Sequence, residues 1–329
     1  MDHRASVKAL AALLFSLSVL LVSCGGADWV DDEVDFDADG LTIYGSYLHR
    51  PGQSGPAALL ISESGNTDRN GDNAVAGPVG NMRQLAELLS ERGVASLRYD
   101  KVGTGRTGLG PYAQRPADVV SEVYTTGARA ALRYLAAQPG TERVSVYALG
   151  EGTVHALALG ADSAEDTPAK VHSLALFQPL TGRYLDIITH RVRANGDAAA
   201  LQSWLAAVEQ VRSTGTVPDN LPQGLGALLN KDNVKAVIAA DRIDPVALAA
   251  KLPAGLPVLL TCSNADAQAP CDAIKPLVDA LAHTDLTVVE LDGVNHVLRD
   301  DPTDNVANYA KGGPLSPQVV AAVDEFVTK

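Results

Sequence analysis

The sequence predicts an α/β fold: a mostly parallel central sheet with helices on both faces and an all-helical insertion. Three observations predict it. Short apolar runs alternate with stretches of helical spacing from residue 57 onward, the order that builds a parallel sheet. The first such run, 57–62 (AALLIS), is almost continuously apolar, as in a strand buried on both faces. Between Gln178 and Leu256 the alternation stops and only helical spacing remains.

Taken in order, residues 34–36 and 41–48 alternate apolar and polar around Asp39-Gly40, the signature of an antiparallel hairpin. After the strand at 57–62, residues 78–92 carry Met82, Leu85, Leu88 and Leu89 at helical spacing and stop at Gly93. A strand at 94–99 follows, then a long helix at 116–138 that ends before Pro139-Gly140. Residues 143–148 and 171–177 read as strands on either side of a helix at 152–160. The insertion reads as helices at 183–194, 198–212 and 233–251, the last broken near Asp244-Pro245. The chain closes with strands at 257–262 and 286–291 and helices at 271–283 and 316–329. The expected division is a leader at 1–23, a polar tether at 24–32 and one domain at 33–329. Within that domain a helical cap at about 179–256 would lie over the C-terminal strand ends, where open sheets place ligands.

The leader has Arg4 and Lys8 ahead of an apolar run at 9–22, the length of a signal-peptide core and too short to span a bilayer comfortably. It ends in Leu21-Val22-Ser23-Cys24, which resembles a bacterial lipobox. That resemblance implies export, lipidation of Cys24 and attachment to the outer face of a membrane; the competing reading is an ordinary signal peptide with Cys24 incidental. The 329 residues carry a formal charge of −13, and loss of residues 1–23, with Asp2, Arg4 and Lys8, would leave −14. An acidic surface disfavours nucleic acid as a partner and is repelled by anionic headgroups, so a membrane contact would come through the lipid. Cys262 and Cys271 read as a disulfide in an exported chain, or else as two buried thiols. No metal or cofactor motif is visible.

Two loops carry a resemblance to a known family. Residues 61–71 (ISESGNTDRNG) resemble the oxyanion loop of bacterial α/β-hydrolases of the serine-aminopeptidase and esterase type, which run S-G-S-G-P-x-D-R-D-G. Residues 98–107 (RYDKVGTGRT) resemble their R-Y-D-K-R-G-x-G-x-S turn. The resemblance implies an α/β-hydrolase fold and a Ser–acid–His triad in that chain order. Where family members commonly read G-H-S-E-G between strand and helix, this chain reads Ala148-Leu149-Gly150-Glu151-Gly152, so Gly150 takes the nucleophile position. Asp266 in Ser263-Asn264-Ala265-Asp266 and His296 in Gly293-Val294-Asn295-His296 fall at the acid and base turns. Ser64, Gly65 and Glu151 would supply oxyanion-type amides. Asp68, Arg69 and Asp100 are expected to tie the two loops together, and His155, His172, His190 and His283 to be structural.

Three functions remain open on these residues. The leading one is a degenerate hydrolase that binds a small ester-, peptide- or acyl-like ligand. The second is an active hydrolase in which His296 and Asp266 activate water, or in which a turn shifted by one residue presents Glu151 as nucleophile, with Thr153 and Ser145 as further hydroxyls. The third is a cell-surface interaction protein with a vestigial pocket.

Overall fold

The computed structural model of the chain describes residues 28–162, 169–195, 197–222 and 224–329. The leader, the lipidation candidate Cys24 and the first part of the expected tether, through residue 27, lie outside them. An acidic hairpin, β1 (Val30–Ala38) and β2 (Leu41–His49), turns at Asp39-Gly40 and opens an eight-stranded sheet. The expected tether extends to residue 32, but Val30 to Asp32 already pair with β2. Their exposed carboxylates are matched there: Asp31 bonds Arg98 and Asp32 bonds His49.

The remaining strands are β3 (Gly55–Ile61), β4 (Ala95–Tyr99), β5 (Thr141–Leu149), β6 (Val171–Phe177), β7 (Pro257–Ser263) and β8 (Asp285–Leu291). They lie in the order β1-β2-β4-β3-β5-β6-β7-β8. β2 is antiparallel to β4, and every pairing from β4 through β8 is parallel. Leu59 in β3 lies between Leu97 and Val146 and is fully buried, as the unbroken apolar run requires.

Helices α1 (Asn81–Glu91), α2 (Ser121–Ala136) and α3 (Gly152–Ala161) follow β3, β4 and β5. The helix expected from residue 116 is interrupted. A single 3-10 turn at Pro116–Asp118 gives way to extended Val119 and Val120 before α2 begins. Both valines line a cavity, and β-branched side chains give up little by leaving the helix.

Between β6 and β7 lies the cap: α4 (Tyr184–Asn195), α5 (Ala198–Thr214), α6 (Leu225–Leu228), α7 (Val234–Arg242) and α8 (Pro245–Ala249). It has its own core around Trp204, Leu185 and Val211. Asp241 is buried there. It accepts from Leu185 N and pairs with Arg183 and Arg212, so its charge is matched within the cap.

The expected helix at 271–283 is also shorter. Cys271–Ala273 forms a 3-10 turn, and α9 (Lys275–Leu281) starts afterwards, because the bond to Cys262 and Pro276 in the first turn fix its start. The short α10 (Val306–Tyr309) and the closing α11 (Pro317–Phe326) complete the chain, the latter capped by Ser316 Oγ on Gln318 N. One face of the sheet packs on α2, α3 and α9, the other on α1 and α11. Among the described residues no helix is long and apolar enough to cross a membrane.

Candidate active site

The turn between β5 and α3 keeps the unshifted register. Gly150 adopts φ +54, its N–H donates to the Phe177 carbonyl at 3.0 Å, and Glu151 already has helical dihedrals. The Thr153 hydroxyl is fully buried and donates to the Gly150 carbonyl at 2.6 Å. Ser145 accepts from Ser173 lower in the sheet. Neither hydroxyl stands at the turn's tip, and glycine suits its left-handed backbone without supplying a nucleophile.

Asp266 leaves β7 on a loop closed by the Cys262–Cys271 disulfide, whose Cα atoms are 5.0 Å apart. Its Oδ1 accepts from the amides of Gln268 and Ala269, and its Oδ2 lies 2.7 Å from His296 Nδ1. The structure therefore brings together the acid and base that the two turns indicated. A residue that the sequence did not flag holds these turns in place. Asp304 accepts from Ala267 N with one oxygen and from His296 N with the other.

The other side of the imidazole, which Gly150 leaves without a side chain, is occupied. Glu63, just past the end of β3, places Oε2 2.7 Å from His296 Nε2. Its Oε1 accepts from Ser64 N at 2.6 Å and makes a long, 3.5 Å contact with Glu151 N. These are the two backbone amides at which oxyanion donors were expected. Gly65 instead shapes the loop at φ +63 and lines a cavity. A Cβ added to Gly150 would overlap Glu63 Oε2. A carboxylate borrowed from the neighbouring loop thus fills the space of the missing side chain. One signal for it was present in the sequence: Glu63 falls where the family pattern S-G-S-G has a glycine, reciprocal to glycine at the serine position.

The ionisation of this array is set by its neighbours. Burial raises the Glu63 carboxyl, but the imidazole's charge and hydrogen bond, with the contacts from Ser64, more than offset it and hold it at about 2. Burial lowers His296, and the flanking Glu63 and Asp266 carboxylates overcome that and raise it to about 10. At neutral pH the centre is an imidazolium clasped between two carboxylates.

Glu63 lines one of two cavities here, and the other is bordered by its neighbours Ser62 and Gly65. One, of about 180 Å³, is lined by Glu63, Ser64, His296, Asn81 and Tyr309. The other, of about 250 Å³ under the cap, is lined by Gly65, Lys101, Tyr124, Glu151, His155 and Tyr184. Burial lowers Lys101, which donates to the Ser62 and Glu63 carbonyls and so anchors the backbone that carries Glu63. Burial raises Glu151, although Lys101 partly counters it. His155, expected to be structural, is buried and bonded to Thr125, yet it also borders this cavity; burial and Lys101 push it down to about 3.

The loops rest on a buried ion pair. Arg69 Nη2 lies 2.9 Å from Asp100 Oδ2, and Asp100 also accepts from the amides of Arg69 and Arg106. Asp68 accepts from Asn70 N and Asp72 N, which closes the loop. As expected, Arg69 and Asp100 tie the two motifs together, whereas Asp68 closes its own loop.

With this geometry in view, comparison with solved structures places the chain in the α/β-hydrolase fold. Est1E from Butyrivibrio proteoclasticus, with ferulic acid bound, aligns with a TM-score of 0.57 at 16% identity, over 90% of this chain and 100% of that one. The esterase Pf2001 from Pyrococcus furiosus aligns with a TM-score of 0.54 at 14% identity, over 92% and 90%. The α/β-hydrolase GrgF from Penicillium aligns with a TM-score of 0.53 at 16% identity, over 81% and 91%. No family model and no curated protein sequence matches the chain.

Proposed function

We propose that the chain is an exported lipoprotein, anchored through Cys24, whose hydrolase fold has given up serine acyl-enzyme chemistry. It presents instead a ligand cleft built around Glu63, His296 and Asp266. One observation carries this reading: a single carboxylate occupies both the nucleophile space above Gly150 and the amide donors beside it. An ester carbonyl has no oxyanion site while Glu63 is there, and Nε2 of His296 is engaged with Glu63 rather than with water. The cavities suit a small ester-, peptide- or acyl-like molecule, and a structural neighbour named as an esterase, Pf2001, favours the same class.

The test is restoration. The natural protein is expected to leave p-nitrophenyl butyrate unhydrolysed. The double change Glu63→Gly with Gly150→Ser frees the amides and returns a hydroxyl to the turn, and ester turnover should appear. Turnover by the natural protein that disappears with His296→Ala would sink the reading. Attachment is tested by globomycin-sensitive processing of the full chain and its loss in Cys24→Ala.

A further inference from the structure

We infer that the opposite end of the sheet carries a second site, which binds the headgroup of a zwitterionic phospholipid, with its phosphate on Arg50 and its ammonium beside Asp32. The choice of occupant rests on the attachment through Cys24 proposed above; the site itself rests on the fold.

A cavity of about 270 Å³ opens where β3, β4 and β5 begin. The candidate active site lies at the other ends of these strands, roughly 20 Å away along the seven-residue β3. Trp29, Tyr47, His49 and Arg50 line one side of the cavity, and the turn at 50–55 with Gly140 lines another. Backbone bonds hold this frame: Gln53 N donates to the Arg50 carbonyl, and Gly55 N donates to the Gly140 carbonyl. The cavity is therefore preformed, as small-molecule sites usually are.

Arg50 marks it as a site for an anion. The chain carries a formal charge of −13, and Arg69, Arg92, Arg98, Arg129 and Arg183 all hold carboxylates. Among the described residues Arg50 is the one half-buried arginine whose side chain forms neither an ion pair nor a hydrogen bond, and its Nε is buried without a partner. Its guanidinium lies 5.1 Å from the centre of the Trp29 ring. Stacking uses the face of the guanidinium and leaves its edge donors for an anion with paired oxygens, which is the geometry of a phosphate. Thr141 Oγ1, close to Tyr47 in the same cavity, is buried without a well-formed hydrogen bond and adds a neutral donor. Buried donors left unpaired cost stability, and a phosphate would satisfy both.

The start of the chain selects the source of that phosphate. Cys24 stands five residues before Trp29, and even a fully extended chain covers at most about 18 Å over that length. A lipid on Cys24 would hold this rim at the membrane surface, a level that suits the half-buried Trp29. The acidic β1 repels an anionic headgroup but attracts the ammonium of a zwitterionic one. Asp32 is placed for that contact: it lies opposite Tyr47 in the hairpin, is 56% exposed, and is bonded to His49 at the cavity wall. The cleft around Glu63 then faces away from the membrane.

The experiment is native mass spectrometry of the full chain released from detergent micelles that contain equal amounts of phosphatidylethanolamine and phosphatidylglycerol. One bound phosphatidylethanolamine is expected, in preference to phosphatidylglycerol. Arg50→Gln, verified as folded by circular dichroism, should reduce that adduct by about 10-fold or more. Thr141→Val should reduce it by a smaller factor and serves if Arg50→Gln does not fold. Asp32→Asn should abolish the preference over phosphatidylglycerol. Absence of an adduct, equal binding of phosphatidylglycerol by the natural chain, adducts unchanged in both Arg50→Gln and Thr141→Val, or displacement by inorganic phosphate overturns the inference. The same spectrum reports the mass of the lipid on Cys24. A chain that holds phosphatidylethanolamine without that mass sinks the anchoring proposal and keeps this one, and a lipidated chain that holds none does the reverse.

Discussion

Glu63 and Gly150 are complementary: the carboxylate of one fills the space that any side chain on the other would need. A lone Gly150→Ser therefore meets a collision as well as a left-handed backbone. It is expected to cost roughly 1–3 kcal/mol and to give no ester hydrolysis. Adding Glu63→Gly should recover part of that stability. Chemical denaturation of the two variants beside the natural protein measures the difference.

The Glu63–His296 pair has a defined pH signature. His296 sits at about 10 in the fold against an ordinary 6.5, so its contribution is complete below 6.5 and is lost as pH rises through about 10. Glu63 sits at about 2 against 4.5, so its contribution is complete above 4.5 and is lost as pH falls through about 2. Both shifts describe one interaction. The stability advantage of the natural protein over Glu63→Gln is expected to be greatest between pH 4.5 and 6.5, at about 3 kcal/mol, and to narrow on either side. Urea unfolding of both proteins across a pH series checks it.

His155 acts in the opposite sense on the acid side. It is held neutral down to about pH 3, whereas an unfolded histidine charges near 6.5. Stability should therefore fall as pH drops from 6.5 toward 3. His155→Gln, which retains a partner for Thr125, should flatten that limb in the same unfolding series.

Asp100 sits under both family-like loops. Asp100→Asn leaves Arg69 buried beside a neutral amide and is expected to cost about 3–5 kcal/mol. Gly105→Ala should also be damaging, because its Cβ would collide with the Asp100 carboxylate from a left-handed backbone. Thermal unfolding reads both.

The Cys262–Cys271 bond closes a loop with a sequence separation of 9. Replacing both cysteines by alanine is expected to cost roughly 2–3 kcal/mol on the loop-entropy model. Because Asp266 lies inside that loop, the imidazole resonances of His296 should move as well, which nuclear magnetic resonance can follow.

The sheet was legible in the sequence because its strands are short apolar runs separated by turn residues, and the cap because that alternation lapses after Phe177. The turns carrying Gly150, Asp266 and His296 were legible because each follows a strand in the expected order. Three boundaries were misread for local reasons: the tether ends early because Val30 to Asp32 already pair with β2, Val119-Val120 abandon the helix to line a cavity, and a disulfide with Pro276 delays α9. Glu63 was overlooked because its role depends on a juxtaposition across 87 residues of chain, from 63 to 150, that only the pairing of β3 with β5 creates. Asp304 was missed for a similar reason, since it bridges two turns through backbone amides and carries no local signature.

The shared hold of Asp241 on Arg183, Leu185 and Arg212 has a mechanical consequence. It welds α4, α5 and α7 into one stiff plate, so any movement over the chamber beneath must move the plate as a whole. The exposed Lys235–Asp118 pair is the outer clasp of that plate, and added salt weakens it. Amide exchange in the three helices should then quicken together as ionic strength rises, and independent exchange would show that the plate is hinged.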